Sequence, residues 1–188
     1  QNRNYINYFF EINITLLENL YLESGLALNT TKYTLEDVFN KTAAPTEQVF
    51  TFEKIWSPRL GISYQLDPRK NIFSSISKGF SVPLVSETLT PEGQINTNLK
   101  PEVGLNYELG FKGHWCQSKL YTELVLYSTK ISNLLVAQRN GNDQYVGINA
   151  GQSSHQGIEF ILNYELLKTA KFEINSYLSA SLNDFRFK

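Results

Sequence analysis

Apolar and polar side chains alternate along most of the chain with a period of two residues. This is the period of a β-strand, in which successive side chains point to opposite faces of a sheet, and helical spacing is nearly absent. Several of the alternating runs exceed the about five or six residues of an ordinary strand and fit the roughly 9–11 residues of a tilted strand that crosses a membrane. The pattern predicts eight strands, at residues 5–16, 20–32, 57–66, 71–80, 105–115, 119–131, 153–166 and 171–187.

The connections between these strands alternate in length. Four are tight turns, at Leu17-Glu18-Asn19, Asp67-Pro68-Arg69-Lys70, Cys116-Gln117-Ser118 and Leu167-Lys168-Thr169-Ala170. The three connections between them are long, at residues 33–56, 81–104 and 132–152. Short periplasmic turns and long external loops are typical of an antiparallel up-and-down transmembrane β-barrel.

Acidic side chains fall on one face of the predicted strands. In the strand at 105–115, Leu109 and Phe111 share one face, while Glu108 and Lys112 share the other. The glutamates within strands all share the face of Asn, Gly and Ser: Glu11, Glu23, Glu108, Glu123, Glu159, Glu165 and Glu173. A carboxylate that faces hydrocarbon is penalised, so the pattern predicts an apolar face toward lipid and a polar face toward a wet lumen.

This pattern has two exceptions, one strand and one single residue. In the strand at 119–131, Tyr121 and Tyr127 compete with Leu124 and Leu126 for the apolar face. Lys78 falls on the apolar face, near the outer end of its strand, where a charge costs about 0–1 kcal/mol. Aromatic residues gather at strand ends and would form interfacial girdles: Tyr5, Tyr33, Trp56, Phe80, Trp115 and Phe172.

Composition excludes several classes of protein. The net charge of −1 gives no basic field for nucleic acid, and 19% charged with 13% aromatic residues is unusual for a soluble domain. The single Cys116 permits neither an internal disulfide nor a thiolate metal cluster. No run reaches the about 18 apolar residues of a transmembrane helix.

A set of motifs between residues 57 and 166 follows a familiar order. Its members are Ser57-Pro58-Arg59-Leu60-Gly61, Ser77-Lys78-Gly79-Phe80, Leu99-Lys100-Pro101-Glu102, Tyr107-Glu108-Leu109-Gly110 and Ile148-Asn149-Ala150-Gly151 with His155-Gln156-Gly157. As a set, these resemble the barrel of TonB-dependent siderophore receptors of the Gram-negative outer membrane. Ser81-Val82-Pro83 departs from that family, which often has a double proline here.

The resemblance implies an all-β fold and a transport function. Such receptors have a 22-stranded barrel plugged by an N-terminal domain, and they import ferric chelates, haem or cobalamin with energy supplied through TonB. We therefore interpret residues 1–188 as a partial β-barrel domain of about eight strands, with the plug domain and the closing strands absent from the chain. The expected function is import of a ferric siderophore across the cell outer membrane. The expected partners are the siderophore, the plug domain, TonB and outer-membrane lipid, without nucleic acid or a cofactor.

Two sets of residues are candidates for this function. Ligand contact is expected from external loops, whose side chains could form charge-assisted hydrogen bonds with the ligand or stack on it. The candidate residues are Arg139, Gln144, Tyr145, Glu87, Gln94 and Asn96. Inward charges could pair with the plug, at Arg59, Glu108, Lys112, Glu123 and Glu159. A solvated loop and a solvated lumen are the alternatives for these two sets.

No arrangement of residues indicates catalysis, and we expect a protein that is not an enzyme. His114 and His155 lack metal-ligand spacing, and Ser153, Ser154 and His155 alternate between faces, which is poor geometry for a nucleophile and its base. Three alternatives remain at this point: a small eight-stranded outer-membrane barrel acting as an anchor or adhesin, a soluble β-sandwich binding module and, less well supported, an outer-membrane enzyme.

Overall fold

The computed structural model describes residues 2–36, 47–91, 93–139 and 144–188. These residues form eleven β-strands and one short 3-10 helix, Val85–Thr88. The strands are β1 (Asn2–Leu17), β2 (Leu20–Glu36), β3 (Glu47–Thr51), β4 (Ile55–Asp67), β5 (Lys70–Ser81), β6 (Glu102–Trp115), β7 (Leu120–Ser132), β8 (Leu135–Arg139), β9 (Tyr145–Asn149), β10 (Gln152–Lys168) and β11 (Glu173–Phe187). Within the described part of the chain, no helix has the length and apolar character needed to cross a bilayer.

The long strands form one antiparallel sheet in the order β1-β2-β4-β5-β6-β7-β10-β11, and β3 pairs with the outer part of β2. This confirms the eight predicted strands. The short strands β3, β8 and β9 were not predicted, and β8 pairs with β9 in a separate hairpin. Among the described residues, β1 and β11 do not pair with each other, so the sheet is not closed as a small eight-stranded barrel would be.

The connections between consecutive long strands alternate between the two ends of the sheet. The four short turns lie at one end, called the turn end, and the three long connections lie at the other, called the loop end. At the turn end, Lys70 and the backbone N–H of Arg69 bond to Asp67 and hold the pKa of its carboxyl below the usual value. The β6–β7 turn places Cys116, Gln117 and Ser118 at positive φ, a region that non-glycine residues rarely adopt.

The two faces of the sheet differ as the alternation predicts. One cross-strand row joins Leu109, Leu126, Ile158 and Leu182, whose exposed fractions are 50, 43, 42 and 75%. The adjacent row on the opposite face joins Glu108, Tyr127, Gly157 and Asn183. These rows assign Leu124 and Leu126 of β7 to the apolar face and Tyr127 to the polar face. These apolar rows are exposed, and no second layer packs on them within the described residues, so this part of the chain does not form a β-sandwich.

Glycines on the polar face make room for rings from neighbouring strands. A Cβ at Gly110 would lie 2.2 Å from the Phe73 ring, which covers that glycine from the next strand. A Cβ at Gly157 would lie 2.9 Å from the Tyr127 ring, whose hydroxyl crosses this position and donates to Asn183 Oδ1 at 2.7 Å. The lack of a side chain at these two glycines therefore makes room for the neighbouring aromatic rings.

The buried side chains cluster at the loop end. Tyr33 is 1% exposed and donates its hydroxyl to the carbonyl of Pro83, which lies just beyond β5. The Phe52 ring meets Tyr33 edge-on at a centroid distance of 5.3 Å, and Ile95 and Leu99 of the β5–β6 connection are also buried. The expectation that Tyr33 belongs to an interfacial girdle was therefore wrong, since this buried ring anchors the β5–β6 connection at the loop end.

Candidate functional site

A groove of about 460 Å³ crosses the polar face in the middle of β2, β4, β5 and β6. We call it the polar groove. Gly61 lies in the same cross-strand row as Glu23 and Ser75, and its missing side chain leaves open the floor of the groove. The charged side chains that line it are Glu23, Arg59, Glu108 and Lys112. Three of the five predicted inward residues therefore come together here.

Arg59 and Glu23 form an ion pair in this groove. Arg59 Nε lies 3.3 Å from Glu23 Oε1, and the two side chains are 61% and 38% exposed. A pair this open to water contributes little to stability, typically about 0–1 kcal/mol. Its charges therefore remain available to another surface that enters the groove. Glu23 was not chosen from the sequence as a site residue, because only the register of β2 against β4 places it beside Arg59.

Glu108 is held in place by neighbouring polar side chains. Its carboxylate accepts a hydrogen bond from Asn106 Nδ2 at 2.7 Å and one from Ser75 Oγ at 3.3 Å. Thr129 donates in turn to Asn106 Oδ1 at 2.6 Å, so the chain of hydrogen bonds spans β5, β6 and β7. A fixed carboxylate with free lone pairs is a good acceptor for a cationic or N–H donor group.

Lys112 and Glu123 face each other across β6 and β7 but do not form an ion pair within 4.0 Å. The Lys112 ammonium lies 5.5 Å from the centroid of the Phe73 ring, a cation–π arrangement. Glu123 accepts a short hydrogen bond from the Tyr121 hydroxyl. Glu123 and Glu159 lie on the polar face as predicted, and both lie outside the lining of the polar groove.

The predicted loop residues lie at the loop end of the sheet, around a second candidate site. Glu87 and Tyr145 line a cleft of about 250 Å³ between the 3-10 helix and the β8–β9 hairpin. Arg139 is the cross-strand partner of Tyr145, and Gln144 is the residue before it. Gln94 is exposed in a tight turn, where its backbone carbonyl accepts from the N–H of Thr90 at 2.8 Å. The predicted loop tip at residues 140–143 lies outside the described residues.

Asparagine side chains join the two long loops around this cleft. Asn96 Nδ2 donates to the carbonyl of Gly147 at 3.1 Å. Asn149 accepts from the N–H of Lys100 at 2.7 Å and donates to the carbonyls of Lys100 and Asn133, each at 2.8 Å. The side-chain amide nitrogen of Asn96 is therefore already used in a hydrogen bond that holds the two loops together. Asn149 was not chosen from the sequence as a functional residue, because its partners are backbone groups of a distant loop.

Ser153 and His155 contradict the expected separation of a hydroxyl from a base. Two residues apart on β10, they share a face, and His155 Nε2 lies 3.0 Å from Ser153 Oγ. The His155 ring stacks against Phe185 at 4.6 Å, and no carboxylate bonds to it among the described residues. Over the same described part of the chain, no group of three or more His, Cys, Asp or Glu side chains is placed to hold a metal ion.

Comparison with known proteins identifies the kind of barrel to which this sheet belongs. A family model described as "TonB dependent receptor-like, beta-barrel" matches residues 1–187. The chain belongs to the TonB-dependent receptor β-barrel family. The unclosed sheet is accordingly a segment of a larger β-barrel of this family.

Individual members of the TonB-dependent receptor family show the same relationship. The ferric-pyoverdine 358 receptor of Pseudomonas putida is 27% identical over 132 residues, which are 68% of this chain and 15% of that protein. The chain thus spans a small part of the curated relatives it matches.

Solved structures show the same fold. The siderophore receptor PiuA of Acinetobacter baumannii superposes with a TM-score of 0.70 at 21% identity, covering 98% of this chain and 25% of that one. The pyoverdine outer membrane receptor FpvA of Pseudomonas aeruginosa PAO1 gives 0.70 at 16% identity, covering 99% and 25%.

Proposed function

We propose that this chain forms part of the wall of an outer-membrane receptor that binds a ferric siderophore outside the cell and imports it with energy supplied through TonB. Membership of the family and the relation to a ferric-pyoverdine receptor support this proposal. The observation that carries it is the division of one wall into an exposed apolar face and a groove of fixed charges on the polar face.

The polar groove is proposed to receive the plug domain of the same receptor. Glu108 offers a held acceptor, and Arg59, Glu23 and Lys112 offer charges of both signs within one depression. Charges in a narrowing, partly dry lumen need partners, and a plug surface with complementary charges would supply them. The groove would then seal the lumen and release the plug when TonB pulls.

The cleft between Glu87 and Tyr145 is proposed to contact the ferric chelate. An exposed Tyr ring offers a stacking surface, and a nearby Arg139 offers positive charge toward an anionic ligand. Because Asn96 and Asn149 hold the two loops together, the cleft keeps its shape before the ligand arrives. Preorganisation of this kind lowers the entropic cost of binding.

Binding and import of labelled ferric chelates by the full-length protein test the ligand assignment. We expect Tyr145→Ala to weaken chelate binding about tenfold or more, and Asn98→Ala, on the exposed loop surface outside the cleft, to leave it unchanged. Import should stop when TonB is absent while binding persists. Failure of every ferric chelate to bind the wild-type protein would overturn the proposal.

A charge reversal tests the role of the polar groove. Glu108→Lys places a cation where the plug is expected to donate, and Glu173→Lys makes the same change on the same face, near the turn end and outside the groove. Planar-bilayer conductance of the full-length protein should rise for Glu108→Lys and stay near the wild-type level for Glu173→Lys. Equal conductance for the two variants would show that the groove does not seat the plug.

A further inference from the structure

The apolar face carries an unexpected pair of cations at the loop end. Lys78 of β5 and Lys130 of β7 both lie on this face, on either side of Leu105 in one cross-strand row. Two strand spacings separate their backbones by about 10 Å. Long side chains at this separation can bring both ammonium groups to a single ligand lying on the wall.

A cleft opens in the wall beside Lys78. Pairing between β4 and β5 ends at Arg59 and Ser77, and the next residue of β4 is Pro58, which has no N–H to donate. Beyond this point the two strands separate around a cavity of about 580 Å³. Its lining includes three lysines and an exposed tryptophan, Lys54, Lys78, Lys100 and Trp56. We call these residues, together with Lys130, the lysine cleft.

Some cations of the sheet form ion pairs and others, the lysines of the cleft among them, form none within the described part of the chain. Lys70, Lys168 and Arg186 each form an ion pair with a nearby acid. Among the residues that the structure describes, no ion pair involves the lysines of the cleft. Glu53 is the one described acid in the cavity lining, so the cleft keeps an excess of positive charge.

We infer that the lysine cleft binds the phosphate head group of a lipid in the outer leaflet. The inference rests on the proposed membrane orientation, with the loop end outside. Lipid is the phase that meets the apolar face, Trp56 suits the interfacial depth, and anionic head groups are attracted by clustered lysines. A cavity of this volume also lies within the usual range for a small ligand, about 300–1,000 Å³.

The chemistry of the cleft favours a phosphate monoester over a diester. A monoester carries nearly two negative charges at neutral pH and three acceptor oxygens, whereas a diester carries one charge. Several ammonium groups with few competing acceptors match the more highly charged group. The preferred lipid is therefore one whose head group ends in a terminal phosphate.

Lipid binding by the full-length protein in nanodiscs tests this inference. Nanodiscs of phosphatidylcholine are doped with phosphatidic acid, a phosphate monoester, or with phosphatidylglycerol, a diester, and native mass spectrometry counts the retained lipids. Wild type should retain phosphatidic acid in preference to phosphatidylglycerol. Lys78→Gln with Lys130→Gln should weaken this retention by roughly 10- to 30-fold, on the basis of about fivefold for each lysine.

Two further variants act as controls. Lys119→Gln with Lys171→Gln removes two exposed lysines at the turn end and should leave retention unchanged. Lys78→Arg with Lys130→Arg keeps the charge and should preserve binding. Heat-modifiable gel mobility checks folding, and removal of charge from a lipid-facing surface is expected to leave insertion intact.

Specific outcomes would overturn the inference. Equal retention by wild type and the double glutamine variant would do so, as would full displacement of the lipid by excess inorganic phosphate, which would assign the cleft to the free ion. Ferric-chelate binding by the same wild-type samples separates the two proposals. A protein that binds the chelate without preferring phosphatidic acid contradicts this inference alone, and the reverse result contradicts the ligand assignment alone.

Discussion

At some positions of this sheet, the residue type is determined by the side chain that lies over it from a neighbouring strand. Gly110 lies under the Phe73 ring, and Gly157 lies under Tyr127, which reaches Asn183 two strands away. A strand glycine ordinarily weakens a sheet, so these positions make sense only when the covering ring is considered. The polar face thus carries aromatic rings as well as charges.

Replacement of Gly110 by alanine tests this packing. The new Cβ would lie 2.2 Å from Phe73 Cζ, so the ring must move out of a stiff rotamer. We expect Gly110→Ala to lower the free energy of unfolding by about 1–3 kcal/mol, as overpacking generally does. Guanidinium unfolding of the full-length protein in lipid vesicles measures the change.

Gly79→Ala is the matched control for that substitution. No atom lies within 4 Å of a Cβ built at Gly79, which is on the neighbouring strand β5. This variant should be neutral or slightly stabilising, by about 0.5 kcal/mol. Unfolding midpoints that coincide for the two variants would contradict the close contact between Gly110 and Phe73.

Among the elements, the long strands could be predicted from sequence and the short ones could not. Each long strand except β7 carries enough alternating residues to fix its own faces. In β7, only the pairing with β6 and β10 decides which residues belong to the apolar face. The strands β3, β8 and β9 have five residues each and lie among turn-forming residues, so their local pattern is too brief. Their pairing depends on partners across a loop, which alternation within one strand does not specify.

The β8–β9 hairpin is expected to depend on Asn149 for its position. Asn149→Ala removes one accepted and two donated hydrogen bonds to backbone groups of Lys100 and Asn133. With about 1 kcal/mol for each bond, local opening should become at least about tenfold more frequent. Hydrogen exchange at the backbone amides of residues 96–101 and 145–149 reports this opening.

Asn98→Ala provides the comparison for the hairpin. Asn98 is exposed in the same loop and donates through its backbone N–H to Asn96 Oδ1, a bond that alanine retains. Exchange at both segments should therefore match wild type. If Asn149→Ala exchanged no faster than Asn98→Ala, the asparagine contacts would not be what joins the two loops.

At the scale of the whole molecule, the sequence specifies the faces of the wall but not its grooves. The side on which each glutamate lies follows from parity alone, and all five predicted lumen residues are on the polar face. Which charges meet is decided by the register between strands. Glu23 joins Arg59, whereas Lys112 and Glu123 face each other without pairing. Register depends on turns and pairing partners that a single strand does not encode.

Adjacent substitutions on β7 test the assignment of the two faces. Leu126 lies on the apolar face at mid-strand, and Val125 lies on the polar face in the row of Glu159. Leu126→Lys should reduce folding into lipid by about 2–4 kcal/mol, the cost of a cation near the bilayer midplane. Val125→Lys places the same charge beside a carboxylate in the lumen and should fold nearly as wild type.

The fraction of full-length protein that inserts into vesicles, measured by gel mobility, compares these two variants. A larger loss for Val125→Lys than for Leu126→Lys would reverse the inside and outside of the wall. Equal losses would indicate that this part of the sheet does not face lipid at all.

In the proposed outer-membrane orientation, the length of the strands sets how far the barrel wall extends above the membrane. β10 has 17 residues, so at about 3.3 Å per residue and a tilt of about 40° a strand of this length climbs about 43 Å, whereas the apolar belt of such barrels is about 25 Å tall. Because tight turns keep the opposite rim near the periplasm, most of the excess forms a collar above the head groups. A large protein such as an antibody can then bind that collar without contacting the bilayer.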